Sequence, residues 1–120
     1  MNYNLNLNDR PFKAIKDGIK KIEGRTPRDE SDRRYTEMKS GDVITFTNNV
    51  TDEVMMVEIL RIQHYPNVRL MLETEGTRNV LSSGLDVEGG IKSYNNIDGY
   101  EERIKKFGIY GIEIKVRKSS

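Results

Sequence analysis

Val43-Ile44-Thr45-Phe46-Thr47, a turn at Asn48-Asn49, then Val54-Met55-Met56-Val57-Glu58-Ile59-Leu60-Arg61-Ile62: the fold turns on this stretch. The first run alternates, with Ile44 and Phe46 on one face and Thr45 and Thr47 on the other, which is the pattern of a half-buried strand. The second is apolar on both faces except at Glu58 and Arg61, which alternation puts on opposite faces. It predicts a long central strand. Two more alternating runs flank this pair. Tyr3, Leu5 and Leu7 alternate with asparagines near the start, and Tyr110, Ile112, Ile114 and Val116 alternate with Gly111, Glu113, Lys115 and Arg117 near the end. The final cations, Lys115, Arg117 and Lys118, read as a solvated strand end.

The segments between the strands are short. Phe12, Ile15, Ile19 and Ile22 predict an amphipathic helix over Phe12 to about Lys20, after which the chain runs extended to Arg25. Residues 26–40 read as a polar loop with a helical turn near 29–35. Val68 to Leu72 reads as a short helix stopped by Gly76, Val80-Leu81 as a brief strand or turn, and residues 82–96 as a loop with a turn of helix. Asp98 with Glu101 forms a capping-box pattern that opens a helix running to Phe107. Strands with so few intervening helices predict a mixed or antiparallel sheet that curls into a barrel, an α+β fold, and not a doubly wound parallel sheet.

The chain has 120 residues, enough for one domain over residues 1–120. It contains 35% apolar and 32% charged residues, and its net charge of +1 is inconsistent with a histone-like basic coat or an acidic tail. No cysteine and a single histidine, His64, exclude disulfides, zinc ribbons, iron–sulfur clusters and thiol nucleophiles. No motif requires a cofactor or metal. No apolar run is long enough for a membrane span and no secretion signal opens the chain, so a cytoplasmic protein without membrane attachment is expected.

The densest polar stretch is Gly18-Ile19-Lys20-Lys21-Ile22-Glu23-Gly24-Arg25. Alternation puts Lys21, Glu23 and Arg25 on one strand face, just after Lys20. A guanidinium fork beside a carboxylate can grip a phosphate or a base edge. Taken alone, the spacing equally describes a surface strand with solvated charges. Arg61 and Tyr65, at the far end of the central strand, are further candidates for the same cleft, and Tyr35, Tyr65 or Tyr94 has the ring to stack on a base.

Pro11-Phe12, Ile15 and the run Gly18-x-Lys20-x-x-Glu23-x-Arg25 resemble the opening signature of the ASCH domain family. Gly41-Asp42-x-Ile44-x-Phe46 resembles its second block. Tyr100-Glu101-Glu102-Arg103-Ile104, Phe107-Gly108-Ile109 and Ile112-Glu113-Ile114 resemble its closing helix and strand. The resemblance implies a PUA-like β-barrel with flanking short helices, and a cleft lined by Lys20, Glu23 and Arg25 that binds RNA or a small nucleoside or nucleotide. A monomer is expected. The chain resembles more distantly a small bacterial acetylcytidine amidohydrolase of the same superfamily, which carries a threonine nucleophile three residues after its lysine. Glu23 stands at that position and cannot replace an acylated hydroxyl. A nucleoside amide hydrolase and a protein-interaction module are therefore the alternatives to a binding role.

Overall fold

In the computed structural model, which describes residues 1–117, five strands form one sheet in the order β1-β3-β4-β5-β2. The strands are β1 (Asn2–Leu7), β2 (Ile22–Arg25), β3 (Val43–Asn48), β4 (Val54–Tyr65) and β5 (Ile109–Val116). β1 runs parallel to β3, and all other pairings are antiparallel. The sheet is therefore mixed and curls into a half-barrel, α+β in class and consistent with a PUA-like barrel. Six short helices accompany it: α1 (Asp9–Lys16), α2 (Arg34–Glu37), α3 (Val68–Glu75), α4 (Thr77–Val80), α5 (Val87–Asn95) and α6 (Tyr100–Phe107). Lys118 lies outside the described residues. Among those residues, no helix is long and apolar enough to cross a membrane.

β4 is the central strand, but it is not buried on both faces. Met55, Val57 and Ile59 point into the barrel, while Val54, Met56 and Glu58 face out. A β-bulge between Ile59 and Arg61 then shifts the alternation by one residue. The bulge puts Arg61 on the same outward face as Glu58, not the opposite one. Tyr65 follows Arg61 on that face and packs with a second apolar cluster under α3 and α5. The main core, around Phe12, Ile44, Phe46, Val57, Ile59 and Ile112, fills the barrel under α1.

The helices depart from the sequence reading in three places. α1 starts at Asp9 and stops at Lys16, and Gly18, at φ +78°, makes a left-handed exit that leaves Ile19 exposed and outside the apolar stripe. Val80, read as part of a brief strand or turn, is the last residue of α4, and residues 82–96, read as a loop with a turn of helix, contain the nine-residue α5. α5 is capped by Asp86, whose side chain accepts from the Gly89 N–H. α6 begins at Tyr100 after a left-handed Gly99, so Asp98 is not its cap.

Candidate functional site

The two edge strands of the half-barrel, β1 and β2, do not pair with each other, and a cleft of about 590 Å³ opens beside this unclosed seam. Its walls come from the β1–α1 junction, β2, the segment after α4, and the α5–α6 region, including Asn6, Arg10, Leu81, Ser82, Tyr94 and Tyr100. Lys20, Glu23 and Arg25 also line it.

Sharp turning after Gly18 decides which lysine enters. Lys20 swings inward before β2 begins, and Lys21 is exposed rather than sharing the face of Glu23 and Arg25. The Lys20 side chain is 4% exposed. Its ammonium donates to the carbonyl of Ile22 at 2.7 Å and to that of Val80, and it lies 3.3 Å from Glu23 Oε1. An ammonium has three protons; two go to these carbonyls, and the charge is paired with Glu23. Lys20 therefore ties the end of α4 to β2 and holds Glu23 by charge. Burial pulls its pKa below the ordinary lysine value, against the opposing pull of Glu23.

Glu23 is gripped from both sides. Arg25 Nε donates to its Oε2 at 2.7 Å, opposite the Lys20 contact on Oε1. Burial alone would raise its pKa, but the charges of Arg25 and then Lys20 outweigh that, and the carboxyl is held below the ordinary glutamate value. A carboxylate kept ionised in this way is a strong hydrogen-bond acceptor with lone pairs to spare and a weak general base. Arg25 also spans the seam, with Nη2 donating to the Asn6 carbonyl of β1 at 2.6 Å. Its Nη1 protons have no protein acceptor among the described residues. Glu23 offsets the cost of burying the guanidinium and raises its pKa further.

Beside this set stand two aromatic rings, Tyr94, one of the stacking candidates read from the sequence, and Tyr100 of the closing helix. Tyr94 and Tyr100 stack with centroids 6.4 Å apart and planes 14° from parallel. Arg103 lies over Tyr100 at 4.9 Å and fastens α6 to the chain after β2 by donating to the Pro27 carbonyl at 2.8 Å. Burial pushes both phenols upward in pKa, so they remain protonated donors. Gly24 lies directly under Tyr94: a Cβ there would sit 2.9 Å from Tyr94 Cζ and closer still to its hydroxyl. Nothing in the sequence pairs the two tyrosines, because their stacking depends on the turn at residues 96–99 and on α5, which gave no periodic signal. Thr26, next to the signature, is fully buried, and its hydroxyl donates to the Gly108 carbonyl at 2.9 Å.

Arg61 and Tyr65 are not in this cleft. They surround Glu75 at the end of α3. Arg61 donates to both Glu75 oxygens, at 2.9 and 2.7 Å, and to Glu113 at 3.1 Å, and the Tyr65 hydroxyl donates to Glu75. The bulge in β4 turned them to the outer face. Among the described residues, no group of three His, Cys, Asp or Glu side chains is placed to hold a metal.

Comparison with known proteins agrees with this architecture. The family model of the ASCH domain matches residues 5–117. A crystal structure described as hypothetical protein PH0355 superposes with a TM-score of 0.81 at 37% identity, covering 98% of this chain and 100% of that one. The solution structure of protein PF0455 from Pyrococcus furiosus does so with a TM-score of 0.74 at 36% identity, covering 99% and 100%. No curated protein matches.

Proposed function

The chain belongs to the ASCH domain family, and from that premise we propose that its cleft binds one nucleotide unit, either an unpaired nucleotide of RNA or a free nucleoside or nucleotide. The observation that carries this reading is the side-by-side acceptor and donor at the cleft wall. Glu23 has spare lone pairs, Arg25 has spare Nη1 protons, and the stacked Tyr94 and Tyr100 stand next to them. An aromatic wall beside a planar donor–acceptor edge suits a base, whose face stacks and whose edge presents amino and carbonyl groups. The cleft also falls within the roughly 300–1,000 Å³ range of small-ligand sites. In this arrangement Glu23 accepts from a base amino group, Arg25 donates to a carbonyl or phosphate oxygen, and Lys20 keeps Glu23 in position.

The test is a fluorescence-anisotropy titration with short labelled single-stranded RNA, competed by free nucleosides and nucleotides, on the parent, Glu23→Gln and Arg25→Ala proteins. Weak binding is expected, with a shallow salt slope of about −0.7 per phosphate contacted, and it should be lost in both variants. Binding that survives both substitutions puts the site elsewhere. Absence of binding to every probe rejects the reading.

A further inference from the structure

The charged side chains lining the cleft are Arg10, Lys20, Glu23 and Arg25, three cations against one carboxylate. The whole chain carries 20 basic and 19 acidic residues, so the cleft holds more net positive charge than the entire protein. Lys20 and Arg25 both contact Glu23. Arg10 is exposed and has no ion-pair partner among the described residues; its neighbour Asp9 is engaged by Lys13 at 3.0 Å and by Asn48 at 3.0 Å. Local structure gives no reason for a cation at this position. Arg10 stands in the first turn of α1, where the helix dipole already favours negative charge, so the helix gains nothing from it. The segment after α4 brings Ser82 and Ser83 to the same cleft, and no other carboxylate lines it.

We infer that the cleft is built for a phosphorylated ligand, with Arg10 holding the phosphate while Glu23, Arg25 and the tyrosines take the base. This rests on the nucleotide reading above and narrows it from nucleosides in general to those carrying a phosphate. Guanidinium forks suit phosphate oxygens, and an arginine whose charge is uncompensated in the free protein loses no existing ion pair when the ligand arrives. Ser82 and Ser83 supply hydroxyls to the same cleft for the remaining phosphate oxygens. The phosphate belongs to a free mononucleotide or to a nucleotide within RNA, since both present the same group.

Isothermal titration distinguishes these cases. The probes are the four ribonucleosides, their 5′-monophosphates, a dinucleoside monophosphate and inorganic phosphate, against the parent, Arg10→Gln and Arg10→Lys proteins. The best 5′-monophosphate should bind the parent on the order of tenfold more tightly than its nucleoside, the equivalent of one charge-assisted hydrogen bond. Arg10→Gln should bring the monophosphate down to the level of the nucleoside while its nucleoside affinity stays at that of the parent, and Arg10→Lys should recover part of the difference. A dinucleoside monophosphate that matches the monophosphate and depends equally on Arg10 supports the inference with RNA as the source; a weaker one supports it with a free mononucleotide. Equal affinity of the parent for nucleoside and monophosphate overturns the inference and leaves the nucleotide reading standing. So does a monophosphate preference that Arg10→Gln does not change. No binding of any nucleoside or nucleotide overturns both. Thermal melts of the Arg10 variants, expected at the parent temperature, exclude misfolding as the cause of a loss.

Discussion

Ile112 and Glu113 are neighbours on β5, and each faces a different network of charges. Ile112 lies across from Glu23 of β2, on the side of the buried Lys20–Glu23–Arg25 set; Glu113 lies across from Arg61 of β4, on the side of the Arg61–Glu75–Tyr65 set. Each set holds a carboxylate between two side chains, Lys20 and Arg25 on Glu23 and Arg61 and Tyr65 on Glu75. Their surroundings differ. Arg61 is 44% exposed, it uses donors on both Glu75 and Glu113, and its network pins α3 to the outer face of the sheet. The Glu23 set is 4–15% exposed and borders a cleft at the one seam where the sheet does not close. A pattern of charges in a sequence therefore does not distinguish a clamp from a site. Position relative to an open sheet edge does, because there buried polar groups face a cavity.

Stability should separate the two networks clearly. Glu23→Ala leaves Lys20 and Arg25 buried without their carboxylate and should cost about 3–5 kcal/mol in urea unfolding. A loss well below 1 kcal/mol would mean that water enters the set freely. Gly24→Ala comes next. Its methyl group meets the Tyr94 ring, and overpacking of this kind costs about 1–3 kcal/mol. Combining it with Tyr94→Phe, which removes the hydroxyl in the way, should recover part of that loss; strictly additive effects would mean that the two do not touch.

Acid should act on the same set. Glu23 has a folded pKa below its ordinary value of 4.5, so its contribution to stability is fully present above that value and is lost as pH falls through the lower, folded one. Chemical denaturation at a series of pH values should therefore give a shallower acid decline for Glu23→Gln than for the parent. An unchanged decline assigns the acid sensitivity to other carboxylates. The smallest effect belongs to the outer network: Glu75→Ala should cost about 1 kcal/mol or less, since Arg61 remains substantially solvated. A Glu75 loss as large as that of Glu23 would erase the contrast between the two networks.

Much of this arrangement was legible in the sequence, and what was hidden has physical causes. Strands β1 and β3 followed from alternation because one face of each is buried and the other is more open to solvent. β5 followed because Ile112 and Ile114 alternate with Glu113 and Lys115, although Ile109 and Gly111 on its other face are covered. The residues from Gly18 to Arg25 stood out because the signature is contiguous. The bulge in β4 left no trace in the residue pattern, and one extra residue was enough to move Arg61 and Tyr65 away from the cleft. α5 reads as no more than a turn of helix because Gly89, Gly90 and Asn95 are poor helix formers, and the helix depends on its Asp86 cap and on packing against α3. Without α5 the partnership of Tyr94 with Tyr100 was invisible. So was the anchoring of Lys20 on the Val80 carbonyl, 60 residues away.

Backbone chemical shifts recorded during a titration with the four nucleoside 5′-monophosphates report on both networks at once. The amides of Gly24, Arg25, Ser82 and Tyr94 should move together along one saturable curve, while those of Arg61, Tyr65 and Glu75 stay in place. Shifts that gather around Glu75 and leave Gly24 and Tyr94 unmoved would contradict the account.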